Sequence, residues 1–254
     1  METGRLENSI ALLICGLLLS FAGCNLGAQQ NNVAGNQAFQ TGNSYQAINR
    51  FQQAINQNPR NADAYYNLGA TFYTLGRPRP GLNPAVQDPN AAQYVARAEQ
   101  LYQQAISLNG QHPEAHRGLA ALLIETNRES AAFDLVKGWK DNNPQSAEPV
   151  IELARLYQEY GDSRHATDLL ADAIRLDPNN VRAFTALGTL RESQGENLLA
   201  LDNYIRALQL DQNQAGLAQR VASLQQRVAA ANGQQFNSTG GTPRYGASNP
   251  WERR

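Results

Sequence analysis

The sequence holds two cysteines, one methionine, three histidines and two lysines in 254 residues, and each shortage narrows what the chain can do. Both cysteines, Cys15 and Cys24, are N-terminal, so the histidines elsewhere have no thiol to complete a metal site. His112 and His116 are four apart, a spacing that suits two ligands on one helix, but the surrounding HPEAH is not the HExxH zinc motif and His165 lies far away. No metal site is expected, and His116 reads as a packing residue. Lys137 and Lys140 lie together beside Asp141, and 21 basic residues stand against 22 acidic ones, a balance without a Lys/Arg cluster that argues against nucleic-acid binding. There is no nucleophile elbow with Ser, His and Asp in order, and no glycine-rich phosphate loop. The chain is therefore read as neither an enzyme nor a cofactor carrier. Its single long apolar run, Ile10 to about Ala22, falls short of the roughly 20 residues that a spanning helix needs.

What the sequence does contain is a period. A small or apolar residue returns at Ala34, Leu68, Leu119, Leu153, Leu187 and Val221, and four of the five steps are 34 residues. The other step, Leu68 to Leu119, is 34 plus 17, and the same surplus separates Ala47 from Ala98 and Phe51 from Tyr102. One insertion accounts for all three gaps. A fixed period of this length marks a stacked array of helical units, each too small to bury its own apolar face. Small residues at Gly69, Ala120, Ala154 and Gly188 let two antiparallel helices approach closely. Gly161 and Gly195 fall where a first helix must stop, and Pro59, Pro144 and Pro178 fall where a second helix ends or the next begins.

Repeat two opens with Tyr65, Leu68, Gly69 and Phe72, and repeat five has Phe184, Leu187, Gly188, Ala200, Tyr204 and Ala207. Repeat four supplies Leu153, Ala154, Tyr157, Gly161, Ala166, Ala173 and Pro178; repeat one keeps Gly35, Ala47, Phe51, Ala54 and Pro59. This order resembles the tetratricopeptide repeat (TPR) over about 28–231. The resemblance implies an all-α, right-handed α-solenoid of about five TPR-like helical hairpins plus a C-terminal capping helix.

The N-terminal run fits a signal-peptide core better than a membrane span, and its end, Phe21-Ala22-Gly23-Cys24, resembles the lipobox of bacterial lipoproteins. That resemblance implies a signal peptide over 1–23, lipidation of Cys24 and a short tether over 24–30; the alternatives are an uncleaved anchor or a plain signal peptide. Two or more acyl chains on Cys24 would give stable anchoring. Asn25 rather than aspartate after the cysteine favours the outer membrane by the same resemblance, so the array is expected on the periplasmic side of the bacterial envelope.

Within the array, 31–231, the first helix has Asn31, Asn32, Asn36 and Gln37 where apolar residues are expected, and fraying is anticipated there. The insertion at 77–93 carries Pro78, Pro80, Pro84 and Pro89, which favour an extended loop, either a tolerated insertion or a partner-contacting arm. In repeat three, Trp139 stands where alanine is usual and must widen the packing or turn outward. The capping helix, Ala215 to Ala231, carries Leu217, Val221, Leu224 and Val228 on one stripe and Gln219, Arg220, Gln226 and Arg227 on the other face. The remainder, 232–254, has the composition of a disordered tail.

TPR arrays hold a peptide against the concave face of their first helices. By that register the groove-facing residues are Asn36, Tyr66, Asn67, Tyr73, Arg117, Arg155, Gln158 and Thr189. Asn36, Asn67 and Arg117 match three places of the family's carboxylate clamp, while Asn32 and Ala121 stand where basic residues belong. The expected function is a non-catalytic protein-interaction scaffold, lipid-anchored in the envelope and assisting assembly of a complex there, with Arg117, Arg155, Tyr66 and Tyr73 contacting a protein or peptide. The alternatives are an accessory subunit of an envelope enzyme or of a secretion or polysaccharide system, and a cryptic enzyme. Size, lipobox and repeat number resemble the pilotin-like lipoproteins of type IV pilus biogenesis and the TPR lipoprotein of outer-membrane barrel assembly.

Overall fold

A computed structural model describes residues 26–77 and 88–238. The expected signal peptide, Cys24 and most of the proline-rich insertion lie outside the described residues. Among the described residues every regular element is an α-helix: α1 (26–40), α2 (Ser44–Gln57), α3 (Ala62–Gly76), α4 (Ala91–Leu108), α5 (Pro113–Glu125), α6 (Glu129–Asn142), α7 (Ala147–Glu159), α8 (Ser163–Leu176), α9 (Val181–Ser193), α10 (Asn197–Leu210) and α11 (Ala215–Ser238). They fall into two compact units divided after Pro144. The first stacks the hairpins α1/α2, α3/α4 and α5/α6; the second stacks α7/α8 and α9/α10 and closes with α11. Each unit is a TPR-like stack of the kind expected.

The turns explain the period. At the end of the first helix of a hairpin the chain enters the left-handed region at Gly42 (φ 79), Asn127 (φ 56), Gly161 (φ 81) and Gly195 (φ 79). Each is followed by an amide that reaches back in Schellman fashion: Asn43 to the Ala38 carbonyl (2.9 Å), Arg128 to Leu123 (2.8 Å), Asp162 to Tyr157 (2.8 Å) and Glu196 to Arg191 (2.9 Å). Glycine fits three of these positions because it carries no Cβ; asparagine is the usual substitute at the fourth. The first helices of three hairpins, α3, α5 and α9, are capped by side chains: Asn61, His112 and Asn180 accept the amides of Ala64, Ala115 and Ala183. His112 thus holds a capping position in the repeat.

Part of the inserted length is helical. α4 has 18 residues against 14 in α2 and ends in the same register, so the surplus adds a helical turn at its start. Gly76, in register with the turn residues, closes the base of the insertion: a Cβ there would lie 2.8 Å from the Ala91 carbonyl oxygen and from Val95 Cγ2.

Three further features bear on those expectations. The asparagines of α1 are tied to its neighbours: Asn31 donates to Gln57 (3.1 Å) and accepts from Arg50 (3.2 Å), and Asn32 accepts from Asn67 (3.0 Å). A polar residue that finds such partners costs little where an apolar one is usual. Trp139 turns inward, 3% exposed, and lies parallel to the His116 ring at a centroid distance of 4.3 Å. The imidazole fills the place of the usual large opening residue and supplies a flat surface for the indole. At the C-terminal end, Leu217, Val221 and Leu224 of α11 pack on Ala200, Tyr204 and Ala207, and the helix continues to Ser238, beyond the boundary expected at 231. Its outer face is not simply solvated, because Arg220 and Arg227 both reach Glu192 of α9.

Candidate functional site

The second unit has an open cavity of about 470 Å³ lined by α7 and α9, with Leu170 of α8 and the connection between α10 and α11. Ile151 and Leu170, with Val181 and Ala186, give it an apolar floor. Arg155, Gln158 and Arg182 line it, as do Glu152, Thr185, Asp211 and Gln214. Ile151, Arg155 and Gln158 lie at i, i+4 and i+7 on α7, so a single helix ridge places all three in the groove.

Charge is distributed here in a way that individual residues do not suggest. The Arg155 guanidinium donates to Glu152 through Nε (2.7 Å) and to Glu159 through Nη1 (2.8 Å). Arg182 is paired with Glu148. Glu152 is 1% exposed, and its second oxygen, Oε2, is buried without a hydrogen-bond partner. Asp211 takes its hydrogen bonds from neutral donors, the Asn213 amide (3.0 Å) and the Gln214 side chain (3.4 Å).

The first unit has a cavity of similar size, about 470 Å³, between the ends of α3 and α5 and the start of α4. Its apolar wall is Ala91, Ala92, Val95 and Ala96, and its rim carries the ion pairs Arg77–Glu125 (2.7 Å) and Arg128–Glu99 (2.8 Å). The Tyr73 hydroxyl is buried there; burial first, and the neighbouring Glu125 carboxylate second, push its pKa well above the usual phenol value.

The expected groove residues are therefore dispersed. Arg155 and Gln158 line the cavity of the second unit, and Tyr73 lines that of the first. Tyr66 is packed among rings, stacked on Tyr102 at 5.9 Å and tilted against His112 at 5.3 Å. Asn67 is engaged by Asn32 and Arg117 by Glu114 (2.8 Å), so two of the three clamp-like positions are already bonded within the chain. Thr189 donates to the Thr185 carbonyl (2.9 Å) with its Oγ1 3.2 Å from the Tyr204 hydroxyl, and Asn36 is half-buried on α1. Glu152 and Asp211 were not among the expected residues. The i, i+3 spacing of Glu152 and Arg155 was visible in the sequence, but a buried carboxylate has no sequence signature of its own.

His112 and His116, spaced as ligands on a helix would be, have separate duties. His112 Nδ1 accepts the Ala115 amide (3.3 Å), which leaves the proton on Nε2, 3.1 Å from Asp63. His116 Nε2 lies 3.1 Å from the Gly110 carbonyl, and burial lowers its pKa. Among the described residues no group of three or more His, Cys, Asp or Glu is placed to hold a metal ion.

Residues 35–76 match the family model described as TPR repeat, and residues 91–149 the one described as tetratricopeptide repeat. Among solved structures, the fold is similar to that of a thermophilic TPR protein of Thermus thermophilus (TM-score 0.58, 21% identity, 78% of this chain and 98% of that one). It is also similar to that of Pseudomonas aeruginosa pilF (TM-score 0.52, 18% identity, 86% and 94%). Among curated proteins, the cellulose synthase operon protein C of Xanthomonas axonopodis pv. citri (strain 306) is 28% identical over 146 residues, 54% of this chain and 10% of that protein. The chain spans 40% or less of the length of the curated relatives it matches. Two stretches of the chain, 35–76 and 91–149, thus match TPR models, and every regular element among the described residues is helical.

Proposed function

We propose that this chain is a non-catalytic scaffold that holds an extended peptide or protein segment in the groove of its second unit, from a lipid anchor on the periplasmic face of a bacterial envelope. The observation that carries the groove is the cavity itself: an apolar floor of Ile151, Leu170 and Val181 beneath polar and charged side chains. Apolar depth with a few directed polar groups is what a peptide side chain needs to be both held and oriented. The anchor rests on the sequence ending in Cys24, and the outer membrane is favoured by Asn25. Such a protein would bring together components of an envelope complex during its assembly.

A second reading, an accessory role in an envelope polysaccharide system, is favoured by the similarity to the cellulose synthase operon protein C. Both readings use the same groove and the same anchor.

Intact mass and membrane partitioning of the wild type and Cys24→Ala, expressed in a bacterial host, test the anchor. A membrane-bound, acylated product that disappears with Cys24→Ala is expected. A full-length, unacylated product in both strains would remove the anchor and leave the scaffold without it.

A further inference from the structure

We infer that the groove of the second unit selects a cationic segment, a lysine or arginine of an extended peptide seated over Glu152 and Asp211. The inference rests on the peptide-binding reading above and gives it a chemical class. Arg182 is answered by Glu148 and Arg155 by both Glu152 and Glu159, while Asp211, also in the lining, is bonded by neutral donors. The arginine that the sequence offers as an anion receptor is thus consumed within its own helix, and the groove is left with acceptors.

Glu152 makes this more than a cluster of acidic residues. Glu152 is one of the residues lining the cavity, and its side chain is buried, with one oxygen bonded by Arg155 Nε and the other without a hydrogen-bond partner. A buried oxygen in that condition is costly until a donor reaches it. Arg155 covers the group but is itself 42% exposed at the side chain, and its other partner, Glu159, is an exposed surface residue. An exposed pair of this kind is weak and readily rearranged. An incoming ammonium or guanidinium can displace Arg155, satisfy Glu152 and leave its aliphatic stem on Ile151 and Leu170, as long cationic side chains do on apolar surfaces. Asp211 offers a second acceptor to the same cation or to a neighbouring peptide amide.

The test uses the full chain and immobilised degenerate peptides with the central position fixed as Lys, Arg, Ala or Glu. Retention of Lys and Arg peptides over Glu peptides by roughly tenfold, weakened by salt, is expected. Glu152→Gln and Asp211→Asn should each erase that preference, and Asp211→Asn, at a site outside the buried core, guards against a trivial folding defect in the first. Arg155→Ala should keep the preference for cations or raise it, an outcome that an anion-binding arginine would not give. Preference for Glu peptides, equal retention of all classes, or selectivity unchanged in both carboxylate variants would overturn the cationic assignment while leaving a peptide groove. Self-association of the chain lost with the same substitutions would make a second copy the occupant and also overturn it. If no peptide of any class is retained, the peptide-binding reading itself fails.

Discussion

Where the two helices of a hairpin cross, the size of one side chain dictates the other. A Cβ at Gly35 would lie 2.4 Å from the Phe51 ring, one at Gly188 would lie 2.6 Å from the Tyr204 ring, and one at Gly69 would touch Tyr102 at 3.0 Å. In the same register stand Ala120 with Val136 and Ala154 with Leu170, all four buried. Glycine therefore accompanies the aromatic ring and alanine the aliphatic chain. Gly35→Ala is expected to cost about 1–3 kcal/mol by overpacking. In a Phe51→Leu background the same substitution should cost far less, a coupling of about 1 kcal/mol or more that urea denaturation of the four variants would measure. Equal costs in both backgrounds would contradict the pairing.

His116 carries a second residue-scale prediction. Buried against Trp139, with His112 nearby and the Gly110 carbonyl on its Nε2, it has a pKa below the ordinary 6.5, chiefly through desolvation. The unfolded chain binds a proton at this site more readily than the folded one, so the imidazole's contribution is full above about pH 6.5 and is lost as pH falls below it. The first unit should be less stable at pH 5.5 than at pH 7.5. His116→Phe, which keeps a ring on Trp139, should remove that part of the pH dependence when melting is followed by tryptophan fluorescence.

At the scale of elements, the hairpins and their limits could be read from the 34-residue period because the period records turn chemistry. Gly161 and Gly195 were legible as helix ends; Asn127 in the same register was not, since asparagine signals a left-handed turn less strongly than glycine. The inward turn of Trp139 was hidden because it depends on a partner, His116, distant in sequence. Of the candidate groove, register gave the shared ridge of Arg155 and Gln158 on α7, but it could not show that Arg155 is paired with Glu152 and Glu159, or that Tyr66 spends its ring on Tyr102 and His112. Register gives direction from a helix, and partners require the fold.

The attachment of α11 is also an element-scale matter. Burial would raise the Glu192 carboxyl's pKa, but hydrogen bonds from Arg227, Arg220 and the Tyr204 hydroxyl (2.9 Å) hold it below the usual range. Arg220 also lies over the Tyr204 ring at 5.3 Å. A carboxylate stabilised in this way supports docking above its unfolded pKa and loses that contribution as pH falls through the folded value. Glu192→Gln should speed amide exchange in α11 a few-fold near neutral pH while leaving the first unit's protection unchanged. Slower or unaltered exchange in α11 would show that Leu217, Val221 and Leu224 hold the helix without the ion pairs.

For the whole molecule, near-neutral net charge and neutral-polar helix surfaces leave recognition to local sites. The candidate sites are the two cavities, and the one with a buried, half-satisfied carboxylate is in the second unit. The scaffold proposed above needs a surface that holds one segment in one orientation. The most direct measurement is site-specific photo-crosslinking in cells from Gln158, inside the second-unit groove, compared with Arg175 on the exposed face of α8. The account predicts a discrete protein adduct from position 158, absent from position 175 and lost with Asp211→Asn. Equal labelling from both positions, or no adduct from position 158, would contradict a scaffold that works through this groove.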